Sequence, residues 1–181
     1  MRISQITFLF SCLFITSCKL SLPTDNEMIQ HFTLHEAAFN KIQNVISQRT
    51  YGCYYPPYRT DTLYGEDQLS IKKLSQEDRQ LLDSLLLEIN CERIFYWNKE
   101  RKKETGHDST EIIISIPYFM YGLSIGGTTK EFLYAPNLKQ ECQSIENSQM
   151  DLNELYRRTD SDTTFYKLIK NNWYIKLEHD N

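Results

Sequence analysis

Asn171-Asn172, set between Thr164–Lys170 and Trp173–Glu178, limits the fold more than any other stretch of the chain. A two-residue hairpin turn needs positive φ at its central residues, and Asn tolerates that region better than other non-glycine residues. The flanks are rich in the β-branched and aromatic types that suit strands. The pattern predicts a hairpin in which Lys170 faces Trp173, Leu168 faces Ile175 and Tyr166 faces Leu177 on one apolar side. Ile169 with Tyr174, Lys167 with Lys176 and Phe165 with Glu178 then share the other, wetter side. An antiparallel sheet with one face against helices follows.

The remaining chain supplies both partners. From about Glu27 to Gln48, Met28, Phe32, His35, Phe39, Ile42 and Ile46 recur at helical spacing with no Gly or Pro between them, predicting one amphipathic helix. Ser75, with Asp78 three residues on, predicts the start of a second helix, whose stripe is Leu81, Leu82, Leu85, Leu86 and Ile89. Thr50 to Tyr58 reads as irregular chain or a short edge strand, because Pro56-Pro57 cannot donate to a ladder. Arg93 to Trp97 predicts a short strand. Glu111 to Tyr121 is apolar on both faces, which predicts a strand covered on both sides, with a bulge or an edge position at Pro117. Gly122 to Thr128 predicts a turn, Lys130 to Ala135 the returning strand, and Gln149 to Arg157 a short helix. The fold class is α+β: an N-terminal amphipathic helix and a second helix packed on an antiparallel sheet of about four to five strands, ending in the C-terminal hairpin.

The N-terminus has the layout of an export signal. Met1-Arg2 is basic, Ile6 to Ile15 is an apolar core, and Thr16-Ser17 supplies small residues before Cys18. The apolar run falls short of the roughly 20 residues that span a bilayer. Ile15-Thr16-Ser17-Cys18 resembles the lipobox of bacterial lipoproteins, which implies cleavage before Cys18 and its acylation, palmitate included. The expected organisation is therefore a lipoprotein signal peptide over 1–17, a tether over 18–26 and a single α+β domain over 27–181. Because Lys19-Leu20-Ser21-Leu22-Pro23 carries no acids, the expected location is the cell envelope, at the outer membrane on its periplasmic side.

Twenty Lys and Arg against 24 Asp and Glu leave a net charge of −4, which gives no electrostatic footprint for nucleic acid. Of the five cysteines, Cys12 lies in the signal and Cys18 is the proposed anchor. Cys53, Cys91 and Cys142 remain, allowing one disulfide whose pairing sequence does not choose, or simply buried thiols.

Two fragments are similar to a loose group of small, uncharacterised bacterial proteins. Gly127-Thr128-Thr129-Lys130-Glu131-Phe132-Leu133-Tyr134 is similar to a G-x-x-K-G-[YF]-x-Y strand, although Glu131 stands where the group has glycine. Tyr166 to Ile175 is similar to its Y-x-x-I-x-x-x-W-Y hairpin. That resemblance implies the α+β fold and no activity.

Chemistry-bearing patterns are sparse. His31 and His35 are four apart on the first helix, so their rings could converge on a metal. The order is H-x-x-x-H-E, however, which puts Glu36 on the wrong side for the usual general base. Lys130 is separated from Gly127 by two threonines, and the loop before it links two strands instead of opening a helix, unlike a phosphate-binding loop. Asp160-Ser161-Asp162 and Asp61 with Glu66-Asp67 do not continue into a calcium loop. We assign no metal, no cofactor and no catalytic residues. Tyr51, Tyr54, Tyr55, Tyr58 and Tyr64 cluster around the prolines, where rings with polar tips suit recognition of a protein or a sugar ring. Their alternative role is to cap a small core. The expected function is a non-enzymatic protein-binding module, immunity- or inhibitor-like, held to the membrane through Cys18. An envelope hydrolase acting on glycan or peptide and a structural envelope component are the alternatives.

Overall fold

The computed structural model describes residues 21–47, 51–56, 74–102, 108–123, 126–138, 150–159 and 161–180. Cys12, Cys18, Tyr58, Tyr64, Asp61, Glu66, Asp67, Cys142 and Asp160 lie outside them, as does the whole export signal. Among the described residues, six strands form one antiparallel sheet, and four helices are present. The strands are β1 (Tyr51–Tyr54), β2 (Ile94–Lys102), β3 (Asp108–Leu123), β4 (Gly126–Tyr134), β5 (Thr163–Lys170) and β6 (Trp173–Asp180), in spatial order β1-β2-β3-β4-β6-β5.

The first helical stretch divides in two, α1 (Asp25–Leu34) and α2 (Glu36–Ile46), with His35 at φ −112° and ψ 18° between them. Thr24 and Glu27 close a reciprocal capping box that starts α1. The break explains a contact a straight helix makes poorly. Phe32 and Phe39 are about 10 Å apart along a helix axis, yet their rings lie 4.9 Å apart. Both then reach the sheet, with Phe39 at 4.7 Å from Phe132 and 5.4 Å from Trp173. The uninterrupted helix expected from 27 to 48 is corrected accordingly: aromatic packing sets the bend without Gly or Pro.

The second predicted helix is α3 (Gln76–Glu88), and the Ser75 hydroxyl accepts from Asp78 N at 3.0 Å. The last helix, α4 (Leu152–Tyr156), is capped by Asp151, one turn inside the expected start. The main core lies between helices and sheet: Met28, Phe32, Phe39 and Ile42 with Leu82, Leu85 and Leu86 meet Ile94, Tyr96, Ile114, Ile116, Phe132, Trp173, Ile175 and Leu177. A smaller cluster of Leu133, Ala135 and Tyr174 occupies the opposite face.

Two register shifts matter. One lies between Pro117 and Phe119, the bulge anticipated at the proline. The other lies between Leu168 and Lys170. Asn171 and Asn172 do adopt positive φ, 49° and 66°, and Lys170 faces Trp173. Beyond that pair the register moves by one, so Leu168 faces Tyr174 and Tyr166 faces Lys176. The expected Leu168–Ile175 and Tyr166–Leu177 pairs are thus corrected. The extra residue, Ile169, lets Ile175 and Leu177 stay in the core while Lys167 turns inward beside them.

Candidate functional site

Three polar clusters stand out, and their degree of satisfaction separates them. The first is buried on the helical face. Lys130 Nζ, with its side chain fully excluded from solvent, donates to Pro23 O (2.7 Å) and Asn153 Oδ1 (2.8 Å) and pairs with Asp25 Oδ1 (2.7 Å). Burial pulls this ammonium below lysine's ordinary value, against the opposing pull of Asp25 and Asp151. Asp25 Oδ2 also receives Lys167 Nζ (2.8 Å) and Leu152 N (2.9 Å), and Asp25 N donates to Asp151 Oδ2 (2.7 Å). All three Lys130 donor directions are used, so this is a clamp between α1, α4 and the sheet. It has no donor left for a ligand.

The second cluster lies on the opposite face. Ser115 Oγ donates to Glu131 Oε2 (2.7 Å), and Lys176 Nζ pairs with Glu131 Oε1 (3.3 Å) and Glu178 Oε2 (2.6 Å). Burial pushes the Glu131 carboxyl up despite Lys176 and Ser115. Burial also works against the Lys176 ammonium, but Glu131 and Glu178 hold it above lysine's ordinary value. This cluster is satisfied internally too.

The third differs. α3 ends in a Schellman arrangement: Asn90 at φ 49°, Asn90 N to Leu87 O (3.2 Å) and Cys91 N to Leu86 O (3.0 Å). The chain then runs through Glu92 and Arg93 into β2. β2 pairs with β3 no further than Phe95 opposite Ser115, whereas β3 continues to Leu123, paired on its other side with β4. Between the divergent segments lies a groove of about 450 Å³, lined by Leu86, Leu87, Cys91, Arg93, Phe119 and Met120 among others. Met120 and Tyr121 are 52% and 68% exposed, and Leu87 75%.

Arg93 is the charged group of this groove with spare capacity. Its Cζ sits 4.9 Å from the centroid of the Tyr55 ring, its Nη1 reaches Tyr55 Oη at 3.5 Å, and its Nη2 is 3.9 Å from Glu92. Nε is buried without a hydrogen-bond partner. A guanidinium presents five donors in a planar fork suited to carboxylates. Cys91, beside it, is a buried thiol pushed up to about 12 by burial, with its Sγ 3.4 Å from Ile89 O.

The sequence candidates fall around this groove in part. Tyr55 is half-buried and carries Arg93, with its ring edge-on to Phe95 at 6.2 Å. Tyr54 is 2% exposed, so it serves the core instead of an open surface. Its hydroxyl lies against the Arg79 carbonyl and the Asp83 carboxylate. The side chain of Tyr51, like Tyr58 and Tyr64, is outside the described residues. The His31 and His35 rings lie 4.7 Å apart at a 44° tilt, but Ile89 O accepts from His31 Nε2 (2.8 Å), His35 faces Glu88 (3.7 Å) and Glu36 pairs with Lys170 (2.9 Å). His107 lies outside the described residues. Cys53 and Cys91 are both buried. Arg93 carried no sequence signal: it stands alone between a cysteine and a strand, and its role depends on where β2 stops.

Comparison with curated proteins and with solved structures gives no match. Residues 21–181 match the profile of a family described as a domain of unknown function, DUF4948, and the chain belongs to that family.

Proposed function

We propose that this chain is a lipid-anchored, non-enzymatic module that docks another protein in the groove between the end of α3 and the free edge of β3. The observation that carries the reading is Arg93, whose guanidinium makes only long contacts, 3.5 Å to Tyr55 and 3.9 Å to Glu92, at a groove of mixed polar and apolar lining. A buried polar group without a partner costs stability unless something else repays it, and a ligand does so. The groove combines a cation with apolar surface, while its thiol is held protonated. That is recognition chemistry more than acid–base chemistry.

The anchor is the other half of the proposal. Cys18, acylated after removal of residues 1–17, would hold the module at the outer membrane on its periplasmic side. A single acyl chain binds reversibly and several bind durably. Cys18→Ser should therefore move the protein from the membrane to the soluble fraction, and continued membrane retention refutes the anchor. For docking, a photo-crosslinking residue at Met120 should capture one envelope protein reproducibly. The same residue at Arg158, which follows α4 and does not line the groove, should capture none. Equal capture from both positions, or from neither, refutes the groove as the docking site.

A further inference from the structure

We infer that the groove receives the C-terminal carboxylate of an extended peptide, which adds to β3 as a further antiparallel strand. This rests on the reading of the groove as a docking site and specifies its partner. Three observations converge on it.

The first is an open place in the sheet. β3 is paired on both sides up to Ser115 and, among the described residues, on the β4 side alone from there to Leu123. An exposed strand edge offers a row of backbone donors and acceptors to an incoming chain.

The second is direction. β2 runs antiparallel to β3, so its first residue lies nearest Ser115 and its line points back toward Leu123. A peptide added antiparallel to β3 in the place β2 leaves empty runs the same way as β2. Its N-terminal end then lies beside Leu123 and its last residue beside Pro117, where Arg93 enters β2. Orientation alone brings a C-terminus, not an internal residue, to the arginine.

The third is chemistry. Nε of Arg93 is shut off from solvent, and both Nη contacts are long, at 3.5 Å and 3.9 Å, so the Nη groups are the donors left to meet a carboxylate. The guanidinium carbon lies over the Tyr55 ring, 4.9 Å from its centroid. Pro117 has no backbone N–H, so at the end of the added strand β3 supplies no competing donor and the carboxylate turns to Arg93. Leu87, Phe119 and Met120 offer apolar contact for the side chains of the last residues. The groove's size suits one or two such side chains.

The test uses the full-length chain extracted in detergent and a displayed library of heptapeptides with free C-termini, followed by fluorescence anisotropy on the best peptide. The library should yield binders with an apolar last residue. C-terminal amidation should weaken that peptide about tenfold or more, because a charge-assisted bidentate contact is lost. Arg93→Gln should weaken the free acid by a similar factor and make amidation indifferent. Glu92→Gln should tighten binding, since it removes a like charge beside the incoming carboxylate. Bound peptide should also slow amide exchange across 118–123. Equal binding of acid and amide peptides overturns the inference, and so does an empty library. If Met120 still captures a partner in either case, docking stands and only the carboxylate falls. If Met120 also captures nothing, the docking reading falls with it.

Discussion

Lys130 is buried because its three donors find three oxygens, not because the site is apolar. Removing one member of a buried ion network leaves the rest desolvated and unmatched, so Lys130→Met should destabilise the fold by about 3 kcal/mol, read from urea denaturation. Lys167 keeps Asp25 partly paired, which limits the expected loss. His31 gives the chain an acid-sensitive term. Burial is the main force holding its imidazole below the ordinary value of 6.5, opposed by the bond to Ile89 O. The unfolded chain therefore takes up the proton first. The contribution is complete above about pH 6.5 and is lost as the pH falls toward the folded-state value. Thermal melts from pH 7.5 to 5 should show a shallower decline for His31→Gln than for the parent chain. The clamp was not visible beforehand: Asp25, Lys130 and Asn153 are far apart in sequence, and only the fold brings them together.

At the scale of elements, local chemistry was legible and its interruptions were not. Ser75, Pro117 and Asn171-Asn172 all act as their residue types dictate, as N-cap, bulge and turn. Asn172→Ala should cost about 1 kcal/mol through its left-handed backbone, whereas Asn172→Gly should be neutral or slightly stabilising, both measured by thermal melting. The break at His35 and the bulge at Ile169 had no comparable mark. Each is a tertiary decision: the first lets Phe32 and Phe39 share one aromatic centre, and the second lets Lys167 reach Asp25 while Ile175 stays in the core. The same limit hid the groove. β2 was expected to end at Trp97 but runs to Lys102, and the functional point is its other end, where the Schellman turn after α3 carries the chain away from β3.

For the whole molecule, the fold begins earlier than α1. Lys130 Nζ takes Pro23 O, and Asn153 Nδ2 takes Pro23 O and Leu22 O (3.0 and 3.3 Å). Five residues expected to be tether, Leu22 to Asn26, are therefore part of the folded body. A chain starting at Thr24 should be less stable than one starting at Ser21 by about 2 kcal/mol or more, since each donor left unmet costs about 1–3 kcal/mol. Equilibrium unfolding of the two chains checks this.

The consequence reaches the membrane. With Cys18 acylated as proposed, only three residues separate the lipidated cysteine from Leu22, a reach of about 10 Å at most. A leash that short restricts how the domain can turn against the headgroups. A partner diffusing along the envelope would then meet a narrow range of poses instead of a tumbling body. The carbonyls that quench a buried lysine would thus also help to set which way the module faces.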